Sequence, residues 1–214
     1  MQGRIPGPVP AGLTVFETMR AEAGGRIALW QLHRDRLRQG CAALGFPLDD
    51  GRVRLALDDR PRGQGLRLRL AVDQAGAVAV THQPLSENPP CWRVAISSLR
   101  LDSADPWLRI KSSRRPAYDL ARAMLPEGVD EAILLNERGE ICEGTITTLF
   151  LQRGDRLLTP PLESGLLPGV LRRSLIEAGQ AEEARLFPAD LSRGAIVMGN
   201  ALRGLIPARL VSGE

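Results

Sequence analysis

Between residues 66 and 72 the chain reads Leu-Arg-Leu-Arg-Leu-Ala-Val, so that Leu66, Leu68, Leu70 and Val72 alternate with Arg67, Arg69 and Ala71. A period of two fits a strand with one buried face and does not fit a helix. It also puts Arg67 and Arg69 on one face. Residues 13–20 read as a further strand, with 26–30 as its hairpin partner across Ala21–Gly25. A helix follows over about 31–45, with Leu32, Leu37, Cys41 and Leu44 near one face and Gly45 and Pro47 as its stop. Residues 77–82 and 92–98 read as strands separated by Gly, Asp, Asn and Pro turns. Leu101-Asp-Ser-Ala-Asp-Pro106 is the candidate linker. Beyond it the pattern predicts a helix over about 116–125 and two strands within 131–151 around Asn136-Glu-Arg-Gly139. A helix from Pro168, where proline suits a first turn, and short strands at 195–199 and 203–206 complete the reading. The expected division is a small N-terminal α+β lobe (1–100), a linker (101–107) and a larger C-terminal lobe (108–214).

Composition narrows the class. The 214 residues are 43% hydrophobic and 25% charged, which suits a globular protein with a packed core. No apolar run approaches the length that spans a bilayer, and Met1-Gln-Gly-Arg-Ile-Pro-Gly-Pro8 has no signal-type apolar stretch, so the expectation is a cytoplasmic protein without membrane contact. Cys41, Cys91 and Cys142 show no paired spacing, and with only His33 and His82 no metal centre is expected. The net charge is +3, but the basic residues are scattered among acids and aromatics are 4%. That is a poor footprint for nucleic acid and a better one for anionic small molecules.

The 28 basic residues divide into 27 arginines and a single lysine, Lys111. Arginine replaces lysine on a surface at little cost. It does not replace a lysine that must lose its proton and act as a nucleophile. Read alone, Lys111 is equally a surface lysine that escaped the bias.

Five segments, in order, carry a resemblance: Phe16-Glu-Thr-Met-Arg20; His33-Arg-Asp-Arg-Leu37; Arg109-Ile-Lys111; Glu143-Gly-Thr-Ile-Thr-Thr-Leu-Phe150; and Leu167-Pro-Gly-Val-Leu-Arg172 with Gly199-Asn-Ala-Leu-Arg-Gly-Leu-Ile-Pro207. From about Leu13 to Leu210 the chain resembles the class IV aminotransferases, the fold-type IV pyridoxal-phosphate (PLP) enzymes, which include branched-chain and D-amino acid aminotransferases and aminodeoxychorismate lyase. The resemblance implies an α/β fold of two lobes with the cofactor between them, the C-terminal lobe binding PLP, and a homodimer acting on a small amino-acid-like substrate.

It also implies roles. Lys111 takes the position that joins the PLP aldehyde as an imine and moves a proton at the substrate Cα. Glu143 takes that of the acidic partner of the ring nitrogen; read alone, it is a solvated carboxylate beside a turn. Arg36 matches the phosphate arginine, though on its own it reads as part of a solvated helix face with Arg34 and Arg38. Gly169, Val170 and Leu171 open a helix whose backbone N–H groups suit a phosphate, while the two apolar side chains also suit a core. Asn200 and Ala201 match the last phosphate- and substrate-facing turn. Tyr118, the only tyrosine, is either a partner of the PLP phenolic oxygen or a core residue. Arg67 matches a substrate-carboxylate position, Arg114 and Arg115 could serve the same end, and Phe16 is placed at the substrate.

Two departures stand out. The Asp-Arg and Gly-Asp-Gly signature that precedes Phe16 in relatives is missing, which reads as a trimmed first lobe, and Arg114 replaces a common asparagine after the lysine. The leading expectation is an aminotransferase, favoured by Phe16-Glu17. An aminodeoxychorismate lyase is the alternative, favoured by Asn200-Ala-Leu202 and the arginine four residues after Lys111. A non-catalytic relative that binds PLP or a partner is the third reading.

Overall fold

The computed structural model describes Ile5 and residues 7–211. Most of the N-terminal segment bearing on a signal peptide therefore lies outside the described residues. The chain forms two compact units, residues 1–87 with 109–114, and residues 88–108 with 115–214.

The first unit is built on an antiparallel sheet in the order β1 (Thr14–Ala21), β2 (Leu66–Asp73), β3 (Val78–Pro84). Val15, Glu17, Met19 and Ala21 stand opposite Val72, Leu70, Leu68 and Leu66, so all eight share one face, and all are buried or nearly so. Each fully buried leucine contributes about 1.5–3 kcal/mol through loss of apolar surface to water. Phe16, Thr18 and Arg20 stand opposite Ala71, Arg69 and Arg67 on the other face. Helix α1 (Trp30–Leu44) packs on the buried face, and Gly40 marks its closest approach: a β-carbon there would come within 2.9 Å of Val15 Cγ1. Helix α2 (Asp50–Asp58) starts where the Asp49 side chain accepts from Gly51 N (2.7 Å) and Arg52 N (3.2 Å), an N-cap worth about 1 kcal/mol. The segment 109–114 returns along β1: Phe16 N donates to Lys111 O and Ser113 N to Thr14 O, each at 2.9 Å.

The second unit holds an eight-stranded sheet in the order β6 (Ile141–Gly144), β5 (Glu131–Asn136), β4 (Trp92–Leu101), β11 (Gly204–Leu210), β10 (Ala195–Asn200), β7 (Thr148–Arg153), β8 (Arg156–Thr159), β9 (Ala181–Glu183). The pairs β4·β5, β4·β11 and β8·β9 are parallel. Both faces are covered. Ile133, Leu149, Leu151 and Met198 belong to one cluster, while Leu134, Cys142 and Leu166 pack with Ala121 of α3 (Pro116–Ala123). Phe150 and Val197 pack with Leu171 and Leu175 of α4 (Val170–Glu177). Burial on both faces is why all six residues of β5 are inside and why alternation locates β5 poorly.

Several expectations are corrected. Residues 26–30 form no strand: the bridge Ala21↔Ile27 is flanked by Glu22 N→Arg26 O (2.8 Å) and Ala28 N→Arg20 O (2.9 Å) and goes no further, because Leu29 adopts φ 54° and turns the chain into α1. The buried face of α1 includes His33 and leaves Leu32 half-exposed, since Glu17 supplies the imidazole with a partner. The stretch 131–151 holds three strands, because Gly144 N→Thr147 O (2.8 Å) closes a tight turn between β6 and β7. The expected linker is no linker. Leu101 ends β4, and Ser103 is anchored to Glu137 through N (2.9 Å) and Oγ (2.7 Å). The chain changes unit after Glu87, Leu108 and Arg114, not over 101–107, because β4 is paired on both edges inside the second unit.

Candidate active site

In the first unit the site grows from β1 and the segment beside it. The main-chain bond between Phe16 and Lys111 brings the lysine to the Phe16 ring, with Nζ 4.8 Å from the ring centroid. Arg69 lies over the same ring at 3.6 Å, a cation–π contact. On the buried face the next residue, Glu17, accepts from Arg36 Nε (2.8 Å) and Nη2 (2.6 Å) and pairs with His33 Nδ1 (2.7 Å). Burial pushes the Glu17 carboxyl up, but the charge and hydrogen bonds of Arg36, aided by His33, hold it at about 2. Burial outweighs Glu17 at His33 and pulls the imidazole below its usual value. His33 is therefore neutral, donating through Nδ1, and its buried Nε2 has no hydrogen-bond partner among the described residues. Helical spacing sorts the arginines: Arg34 and Arg38, four apart, share Asp50, while Arg36 and His33, three apart, share Glu17.

In the second unit Glu143 ends in a buried carboxylate whose Oε1 accepts from Tyr118 OH (2.6 Å) and Leu167 N (3.0 Å). Burial and the adjacent Glu143 raise the Tyr118 phenol well above its usual range, so it is a proton donor. The turn after Glu143 is held by Glu131, which is fully buried: Oε1 accepts from Ala132 N and Thr145 N, and Oε2 from Ile146 N and Thr147 Oγ1. Arg122 Nη1 adds a bond to Thr145 Oγ1 (2.8 Å), and Arg115 Nη2 one to Thr145 O (2.6 Å). Asn200 Nδ2 donates to Ile146 O (3.1 Å), while its Oδ1 accepts from Leu202 N and Arg203 N and shapes the turn holding Ala201. Gly169 caps α4 without a side-chain acceptor. The N–H groups of Val170 and Leu171 have no acceptor within the helix and suit an anion. A β-carbon on Gly169 would stand 2.6 Å from Thr148 Oγ1, so glycine is required by close approach.

The structure thus brings Phe16 to Lys111, and Tyr118 and Arg115 to the neighbourhood of Glu143. Tyr118 directs its hydroxyl to Glu143, a role that the sequence did not suggest. The arginine at the Phe16 ring is Arg69, whereas Arg67, two residues along on the same face, is exposed. Arg115 holds a loop carbonyl and lies 4.8 Å from the Tyr118 ring. Sequence reasoning did not single out Glu17, His33 or Glu131 for a role. For the first two the available signal was the coincidence of Phe-Glu with His-x-x-Arg. Glu131 carried none, since its partners other than Ala132 N and Arg122 lie 14–16 residues away in a turn. Among the described residues no group of three or more His, Cys, Asp or Glu could hold a metal ion.

Comparison with known proteins places these features in a family. The family model for amino-transferase class IV matches residues 14–211. A solved structure named "putative amino-acid aminotransferase" from Mesorhizobium loti is 41% identical, with a TM-score of 0.87, covering 93% of this chain and all of that one. The "aminodeoxychorismate lyase" of Bacillus subtilis is 45% identical over 192 residues, 78% of this chain and 64% of that protein. The "probable branched-chain-amino-acid aminotransferase" of Thermotoga maritima is 27% identical over 215 residues, 91% of this chain and 76% of that protein. The chain belongs to the class IV aminotransferases, a PLP-dependent family of fold-type IV that includes aminodeoxychorismate lyases.

Proposed function

We propose that this protein is a PLP-dependent enzyme acting on the amino group of a small amino acid, with Lys111 as its cofactor lysine. The observation that carries the reading is that the chain's single lysine rests beside Phe16, within the residues 14–211 that the family model matches. The residues present fit the group by their chemistry. Lys111 offers the primary amine, Glu143 a buried carboxylate, Arg36 a guanidinium, and the uncapped start of α4 backbone N–H groups from Val170 and Leu171. PLP, when bound, supplies an aldehyde that joins an amine and a ring that draws electrons from the substrate Cα.

Around it the chain's own groups divide the work. Lys111 Nζ carries the proton to and from the substrate Cα. Glu143 holds a proton on the ring nitrogen, and Tyr118 and Leu167 N fix the orientation of its carboxylate. Arg36 and the first turn of α4 hold the phosphate, with the Asn200–Ala201 turn beside the loop 145–147. Arg69, at the ring that Lys111 also touches, is better placed than Arg67 to receive the substrate carboxylate; Phe16 forms the apolar wall.

The first test is amino exchange between a panel of amino acids and 2-oxo acids. Turnover by the wild type that falls by at least about 10³-fold in Lys111→Ala supports the proposal and excludes a non-catalytic relative. Turnover that survives the substitution overturns it. A second reading, aminodeoxychorismate lyase, is favoured by the similarity to the Bacillus subtilis lyase. Release of pyruvate and p-aminobenzoate from aminodeoxychorismate, without amino exchange, would select it. The same proposal makes the protein a cytoplasmic homodimer with no nucleic-acid or membrane partner. Among the described residues no helix is long and apolar enough to cross a membrane. Light scattering at twice the chain mass of 23.3 kDa tests the dimer.

A further inference from the structure

We infer that Glu131 is a positioning residue for Glu143. It holds the turn 144–147 in the shape to which Arg115 and Arg122 fasten α3, and so keeps the Tyr118 hydroxyl on the Glu143 carboxylate. This deepens the proposed function and rests on the role given there to Glu143.

Glu131 opens β5 two residues before Ile133, which stands opposite Gly144 of β6. Its carboxylate has no exposed surface. Both oxygens meet the turn: Oε1 accepts from Thr145 N (2.9 Å) and Thr145 Oγ1, and Oε2 from Ile146 N (3.1 Å) and Thr147 Oγ1 (2.9 Å). A buried carboxylate bonded to donors of three consecutive residues dictates the path of their backbone, because none of those donors has water to turn to. Gly144 admits it: a β-carbon there would stand 2.9 Å from Glu131 Oε2.

The peptide between Thr145 and Ile146 carries this geometry outward. Its N–H points to Glu131, so its carbonyl points the other way, and that carbonyl accepts from Arg115 Nη2 (2.6 Å). Arg122 Nη1 reaches Thr145 Oγ1 at 2.8 Å and Glu131 Oε1 at 3.5 Å. Arg115, Tyr118 and Arg122 are three and four residues apart, the spacing of one helix face. Arg115 is the N-cap of α3 and Arg122 lies in its last turn. Both ends of the helix are therefore tied to the turn, with Tyr118 between them donating to Glu143 Oε1 at 2.6 Å. Glu143 itself immediately precedes the turn. The carboxylate and its phenol thus share one reference, Glu131.

The alternative role for Glu131 is only to satisfy the buried donors of the turn. Both roles predict a less stable variant. Positioning alone predicts that Tyr118 changes its hydrogen bond in protein that is still folded.

Tyr118 is the chain's only tyrosine, so the tyrosine doublet in the ultraviolet resonance Raman spectrum of the purified protein reads its hydroxyl and no other. The wild type should show a strong hydrogen-bond donor. In Glu131→Gln, whose amide sets donors against donors, that signature is lost while circular dichroism shows the protein folded. With PLP bound, removal of the substrate α-deuterium slows about tenfold with KM little changed, as in Tyr118→Phe. The Glu131→Gln/Tyr118→Phe double variant is slower than either single variant by less than about twofold. A folded Glu131→Gln that keeps the donor signature, or a double variant in which the two losses multiply, overturns the inference. If Glu143→Gln leaves the α-deuterium exchange unchanged, the role of Glu143 is what has failed, and the Raman signature still decides whether Glu131 holds Tyr118. Should Glu131→Gln not fold, Glu131→Asp keeps the charge and withdraws it from the turn. Loss of the donor signature there supports the inference, and its retention contradicts it.

Discussion

The two units hold their central carboxylates by opposite means. In the first, Glu17 is met by the guanidinium of Arg36 and the imidazole of His33, a charge paired with a charge in a fully buried place. In the second, Glu131 is held mainly by backbone N–H groups and hydroxyls, and Glu143 accepts from a phenol and a backbone N–H. A salt bridge consumes a carboxylate's charge, whereas neutral donors orient it and leave its charge in place. Glu17 is thus suited to hold another side chain. Under the proposed function Glu143 is the carboxylate that meets the protonated ring nitrogen.

That contrast is sharpened first at Glu143. Replacement by glutamine keeps the shape and removes the charge, so Glu143→Gln should retain PLP and slow proton removal at Cα by ~10²-fold or more, read as loss of α-deuterium exchange. Unchanged exchange would show that the charge of Glu143 is not used. Glu131 comes next. Glu131→Ala strands several buried donors around the 145–147 turn and should lower stability by about 3 kcal/mol, measured by urea unfolding; a loss below about 1 kcal/mol would mean the turn stands without it. Tyr118→Phe removes one hydrogen bond from Glu143 and should reduce turnover about tenfold with PLP affinity little changed. A loss of PLP affinity instead would put Tyr118 on the cofactor.

The smallest effect is a pH dependence. The folded Glu17 carboxyl sits at about 2, below its ordinary 4.5. Its contribution to stability is whole above pH 4.5 and fades as pH falls from there toward 2. Glu17→Gln should therefore be less stable than wild type at neutral pH, with the gap closing across that window. Glu140, held at about 2 chiefly by the hydrogen bond from Arg138, should show the same trend in Glu140→Gln. The gap there should be narrower, because Arg138 is 44% exposed and solvent screens it. Equal gaps would contradict the contrast between the two environments.

Much of this was legible in the sequence where the cause is local. The alternation of 66–72 located β2, and Gly45 closed α1 in the left-handed conformation, φ 72°. The single lysine pointed to the position that the structure sets beside Phe16. What was not legible depends on partners far along the chain. β5 is buried on both faces and so shows no alternation, and β8 and β9 are four and three residues long. Helix α2 had a readable start in Asp49, with Val53 and Leu57 four apart, and went unread in a stretch dense with charge. At the site, Arg67 and Arg69 are equivalent by strand alternation. Only the register Thr18↔Arg69 and the ring contact separate them. Glu131 reads in sequence as a strand-edge acid, because its donors come from a turn that exists only once β6 and β7 have formed.

The most direct test of the central claim is the visible spectrum of the purified protein with PLP, before and after borohydride, followed by mapping of the modified peptide. The account predicts a yellow band that borohydride abolishes, with the added mass on Lys111. A protein that remains colourless with added PLP, or a modification found only at the N-terminal amine, would contradict it.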